Sequence, residues 1–177
     1  MMTHKIVIAN CKMAQSGKST SIRYVFEILS ERYKAGVHVL LPTTGYNKKE
    51  DVKAIIDIPQ LNGDIVKVGI ESQGDPNSRQ NQSIDDFLNA GCEIILVACR
   101  TRGKTVNKIE WLRGIHHWQA IWFDNSSMWV DDWCNKTDAS GSRLKDQDEQ
   151  LQDQLSRDYG FYVASLIERL VLTGGVI

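Results

Sequence analysis

Apolar residues recur along this chain with two different periods, and the switches between them outline its elements. Lys5 to Cys11 reads KIVIANC, a short β-branched run suited to a central strand. Beyond a small, polar stretch, Ile22, Val25, Phe26 and Leu29, with Tyr33, return every three or four positions. That spacing predicts a helix with one buried stripe, stopped at Gly36. A second strand is expected over Val37–Leu41, closed by Pro42 and followed by a polar loop across 43–50. The runs 52–58 and 65–72 flank a turn centred on Asn62 and Gly63, which predicts an antiparallel pair. A helix is the alternative for the first run, because Val52, Ile55 and Ile56 also fit that period.

Further on, Ile84, Phe87 and Leu88 predict a short helix over 83–90 that stops at Gly91. The run 93–98, with IILVA at its centre, is apolar throughout, as strands covered on both faces tend to be. A helix over 105–113 and a strand over 119–123 follow. No clean period runs through 126–146, which reads as a long loop or lid. Leu151, Leu155, Tyr159, Tyr162, Val163, Leu166, Ile167 and Leu170 then predict a final helix over about 147–172, with Gly160 as a bend. Strands and helices alternating in this way indicate an α/β sandwich with a mostly parallel sheet, folded as one domain over 1–177.

Composition narrows the function classes. With 42% hydrophobic and 24% charged residues the chain has ordinary soluble proportions. A net charge of -1 supplies no global attraction to nucleic acid or to an anionic membrane. No run approaches the roughly 20 apolar residues of a membrane span, and the start carries no signal pattern, so cytoplasmic residence is expected. The four cysteines form no zinc or redox spacing; Cys92 and Cys99 are expected as buried, reduced thiols. His116 and His117 are adjacent and diverge, which suits a structural role better than metal ligation.

The candidate chemistry sits between the first strand and the first helix. Lys12, Met13, Ala14, Gln15, Ser16, Gly17, Lys18, Ser19 and Thr20 carry the second half of the pattern G-x-x-x-x-G-K-[ST]. Lys12 stands where that pattern has its first glycine. The roles follow from charge and geometry. Successive N–H groups through Gln15, Ser16 and Gly17, together with a helix N-terminus, suit a polyanion, and Lys12 would offer a second cation near the loop. Lys18 would neutralise β- and γ-phosphate oxygens, Ser19 would hold magnesium, and Thr20 would lie beside the α-phosphate or cap the helix.

In these residues the chain resembles the P-loop NTPase superfamily, and its order of elements is similar to the GTPase branch. That resemblance implies a three-layer sandwich that binds Mg2+ with ATP or GTP. It also implies a switch segment whose threonine, Thr43 or Thr44, reaches the metal. Glu71, Ser72, Gln73 and Gly74 then stand at D-x-x-G spacing, with glutamate in place of aspartate. Glu71 would reach magnesium through water, Gly74 would offer its N–H to the γ-phosphate, and Gln73 would orient a water. Asn135 to Asp138 spell N-K-x-D, which reads guanine in GTPases, but they do not directly follow an apolar strand, so no base is assigned.

Arg100, Arg102 and Lys104 follow the most apolar strand and are candidates to contact phosphate, an acidic substrate or the charge on a transferred phosphoryl group. Arg79 is a further candidate for that role. Trp111, Trp118, Trp122, Trp129 and Trp133 cluster over 111–133 and suggest a protein partner surface, with Asp131 and Asp132 disfavouring nucleic acid. Three functions are consistent with these features: an NTPase switch, a small kinase with 126–146 as its lid, and a nucleotide-binding adaptor with little turnover.

Overall fold

A computed structural model describes residues 4–11, 18–43, 47, 50–74, 79–100, 102–124 and 142–175; at positions 18, 124, 142–149 and 152 it describes the backbone alone. Among the described residues six strands appear: β1 (Ile6–Cys11), β2 (Val37–Leu41), β3 (Lys53–Pro59), β4 (Ile65–Glu71), β5 (Ile94–Cys99) and β6 (Gln119–Asp124). Among the described residues, four α-helices accompany them: α1 (Lys18–Arg32), α2 (Gln80–Asn89), α3 (Lys104–His116) and α4 (Ser142–Leu172).

The strands form one sheet in the order β2-β3-β4-β5-β1-β6. It is mixed. β4, β5, β1 and β6 pair in parallel, whereas β3 runs antiparallel to both β2 and β4. The run 52–58 is therefore a strand and its helical alternative is excluded, with the turn made at Gly63 in a left-handed conformation (φ 87°).

Successive residues of β1 feed opposite faces, which gives the sheet two cores. Ile6 and Ile8 pack with Ile22, Val25, Phe26 and Leu29 of α1 and Val163, Ile167 and Leu170 of α4. Val7 and Ala9 pack with Ile84 and Phe87 of α2 and Ile109 and Leu112 of α3. Helices thus cover both faces, and β1 and β5 are buried along almost their whole length.

Several boundaries differ from those the sequence predicts. α1 ends at Arg32, and Gly36 instead closes a short 3-10 turn over Lys34–Gly36. A Cβ at Gly36 would meet the Asp57 carbonyl at 2.5 Å, so the glycine serves close approach to β3. α4 begins at Ser142, inside the stretch read as a loop. At its crossing with α1, a Cβ on Gly160 would lie 2.6 Å from Cβ of Tyr24. There the missing side chain lets two helices touch.

The cysteine reading is corrected in part. Cys92 is a buried free thiol, as expected. Cys99 is joined to Cys11 in a disulfide, with the Cα atoms 4.7 Å apart. Parallel pairing sets the two residues directly opposite each other, across 88 positions of sequence. Such a partnership is invisible to any local pattern. Among the described residues, no helix is long and apolar enough to cross a membrane.

Candidate functional site

The carboxyl ends of β1, β4, β5 and β6 lie along one edge of the sheet, because these strands run in parallel. β1 is flanked on both sides, and α1 packs back across β1, β5 and β4. Its N-terminus therefore comes to the same edge, with no acidic residue in the first turn to oppose an anion. Lys12, Gln15, Ser16 and Gly17 lie outside the described residues, as does the side chain of Lys18. Ser19 and Thr20 are half-buried in the opening turn of α1, where Arg23 donates to Thr20 Oγ1 at 2.9 Å. Arg23 brings to this end a cation that the sequence pattern does not single out. Between α1 and α4 a cavity of about 230 Å³ opens, lined by Thr20, Arg23, Tyr24, Glu27 and Asp153. The Tyr24 hydroxyl, raised by burial, donates to Asp153 at its wall.

Strand order decides which other candidates join this corner. Arg100 follows β5, immediately beside β1, and its backbone N–H donates to Thr105 Oγ1 at 3.1 Å in the first turn of α3. Arg102 and Lys104 are exposed at the start of α3. Glu71 closes β4, two strand spacings from β1, or roughly 10 Å. Thr43 follows β2 on the sheet margin, four spacings or roughly 19 Å from β1, so the topology does not bring it to Ser19. Thr44 lies outside the described residues.

Glu71 is wholly buried and its carboxylate is saturated with donors. Oε1 accepts from the Gln73 N–H at 2.9 Å and from Arg79 Nη2 at 3.3 Å. Oε2 accepts from Arg79 Nε at 2.9 Å and from Ser83 Oγ at 2.6 Å. A carboxylate has about four lone-pair sites, and all are engaged here. Arg79 also reaches the Asp51 carbonyl at 3.4 Å, while its own N–H donates to Gln73 Oε1 at 3.4 Å. Ser72 Oγ donates to Asp51 Oδ1 and accepts the Val52 N–H, each at 2.9 Å. Beside this group Lys53, paired in register with Glu71, forms an ion pair with Asp86.

This network changes how three sequence candidates are read. Gln73, expected to orient a water, holds the Arg79 backbone with its side-chain oxygen. Gly74 is buried against β5, where a Cβ would meet Ala98 Cβ at 2.6 Å and its carbonyl oxygen at 2.7 Å. Its missing side chain is thus needed for seating the segment after β4 over β5. Gln80 fixes the same seat by donating to the Ala98 carbonyl at 3.0 Å. Arg79 binds a carboxylate of this chain, whereas the sequence offered it to a transferred phosphoryl group. Ser83 and Asp51 escaped notice. The four-residue spacing of Arg79 and Ser83 sets both on one side of α2 and was the available signal.

The tryptophans divide. Trp118 is in the core, and Trp111 is half-buried with Lys108 over its ring at 3.9 Å. Trp122 is exposed on β6, and Trp129 and Trp133 lie outside the described residues. The aromatic cluster that does form joins Phe123 to Tyr159 and Tyr162, edge to face. His116 packs on Trp111, and among the described residues no group of three or more His, Cys, Asp or Glu side chains is arranged to hold a metal. Asn135 to Asp138 lie outside the described residues. No family model, curated protein or solved structure matches the chain.

Proposed function

We propose that the chain binds a nucleoside triphosphate with magnesium at the junction of β1 and α1, in the manner of a P-loop NTPase. One observation carries the reading. In sequence the G-K-S-T residues follow an interior strand flanked by parallel neighbours, and Lys18, Ser19 and Thr20 open the helix that packs back over that strand. A phosphate-binding loop needs this context, because it directs N–H groups and the positive end of the helix dipole beyond the sheet.

In this reading the backbone at Gln15, Ser16 and Gly17 surrounds the phosphates, and Lys18 offsets their charge. Ser19 supplies a hydroxyl for magnesium. Arg100, just past the end of the strand next to β1, is among the described residues the cation best situated for charge that develops on a leaving or transferred phosphoryl group. Glu71 has the chemistry to receive magnesium-bound water, on the condition that one of its present donors leaves.

Binding with little turnover is the second reading. The saturation of Glu71 and the engagement of Gln73 favour it, since both groups of an attacking-water site are occupied by internal partners. In that case exposed Trp122 and its neighbours offer a surface for a protein partner.

The test compares the intact chain with Lys18→Ala, using ATP and GTP with magnesium. The substitution should weaken triphosphate binding by about 10- to 100-fold, the value of a charge-assisted contact to phosphate, and leave the melting transition unchanged. Phosphate release without an acceptor identifies an NTPase, acceptor-dependent consumption a kinase, and binding without either an adaptor. Equal affinities for the two proteins would remove the assignment.

A further inference from the structure

We propose that Arg79 is an exchangeable counter-ion of Glu71, holding that carboxylate until a hydrated divalent cation takes it over with the bound nucleotide. The inference rests on the nucleotide reading above and says which residue must move for it to operate. A metal-bound water donates a hydrogen bond and needs an acceptor lone pair, yet every acceptor position of Glu71 is filled. Metal and the full donor set are therefore mutually exclusive on this carboxylate.

Among the donors, Arg79 is the one suited to leave. The Gln73 N–H belongs to the backbone two residues on, and Ser83 Oγ makes the shortest contact from within a helix. Among the described residues Arg79 is the one charged partner of Glu71, and its side chain is 30% exposed while Glu71 is 0% exposed. Beyond one good bond through Nε, its Nη2 contacts are long, at 3.3 and 3.4 Å.

Charge balance points the same way. Lys53 is already paired with Asp86, and Arg79 is the guanidinium on the Glu71 carboxylate, reaching Asp51 through its backbone carbonyl. Departure of Arg79 leaves the buried Glu71 carboxylate without its guanidinium, and a hydrated divalent cation restores positive charge beside it. Arg79 is in this sense a positioning residue. It holds a buried carboxylate in place at the carboxyl edge while no metal is there.

The experiment titrates Mg2+ into the full-length chain at a fixed concentration of ATP or GTP, following both nucleotide affinity and melting temperature. Arg79→Gln should lower the magnesium concentration at half-effect by about tenfold, the value of one charge-assisted contact. Glu71→Gln should abolish that gain in the double variant. Arg79→Lys keeps the charge with fewer hydrogen bonds and should shift the half-effect in the same direction by less. It also carries the test if Arg79→Gln does not fold. A magnesium half-effect that stays put or rises in these variants, while binding still depends on Lys18, overturns the exchange and leaves the nucleotide site standing. Absence of Lys18-dependent binding in the unmodified chain overturns both.

Discussion

Two ion pairs in this molecule have the same length and opposite circumstances. Arg79 meets Glu71 at 2.9 Å at the carboxyl edge of the sheet, and Arg113 meets Glu110 at 2.9 Å on the outer face of α3. The first carboxylate is fully buried and supported by Ser83 and a backbone N–H. The second pair is about half in water on both sides, at 48% and 49% exposed. Distance does not rank them. In water the charges of Arg113 and Glu110 are already solvated, so their meeting contributes little. Inside the fold, Glu71 would be left without solvation if its partners were removed.

The strongest way to break this comparison is Glu71→Ala. It should cost about 3 kcal/mol in urea unfolding, near the low end for splitting a buried pair because Arg79 keeps part of its surface in water. A loss below about 1 kcal/mol would mean that the network is no more than the surface pair brought indoors. Gly160→Ala provides an uncharged reference, because its new methyl would sit 2.6 Å from Tyr24 Cβ at the crossing of α1 and α4. A loss of about 1 to 3 kcal/mol is expected from overpacking, with no dependence on salt.

Burial also opposes charge where no partner is offered, and pH reads this directly. Burial pushes the Cys92 thiol from an ordinary 9.0 up to about 12. The folded state therefore holds a proton that the unfolded chain has already released, so stability is intact below pH 9 and falls as pH rises toward 12. Near pH 10 the loss should be about 1 kcal/mol, and Cys92→Ala should flatten the slope. Burial raises the Tyr159 hydroxyl as well, adding a loss of the same sign above its ordinary 10.0, so some slope should persist in the variant. An unchanged slope would show that Cys92 reaches solvent. The smallest effect is reserved for Glu110→Ala, expected at no more than a few tenths of a kcal/mol and vanishing in salt.

Much of the element list was legible because it depends on short-range chemistry. The apolar centre of β5, the stripe of α1 and the positive-φ turn at Gly63 are each set by residues within one element or one hairpin. The candidate site was legible only as composition. Glu71, Arg79 and Ser83 lie within 13 positions of one another, yet their meeting depends on β4 ending where α2 begins. Thr43 looked like a partner of Ser19 in sequence, and sheet order separates them.

From its residues alone the chain determined that β1, an amphipathic α1 and a G-K-S-T junction follow one another, since periodicity and turn chemistry act over a few positions. Tertiary structure alone decided that β5 and β6 flank β1, that Cys11 faces Cys99, and that Arg79 closes over Glu71. Those outcomes depend on lateral pairing between distant strands. Such pairing is selected by the total burial of two opposed faces, and no local window of sequence contains that sum.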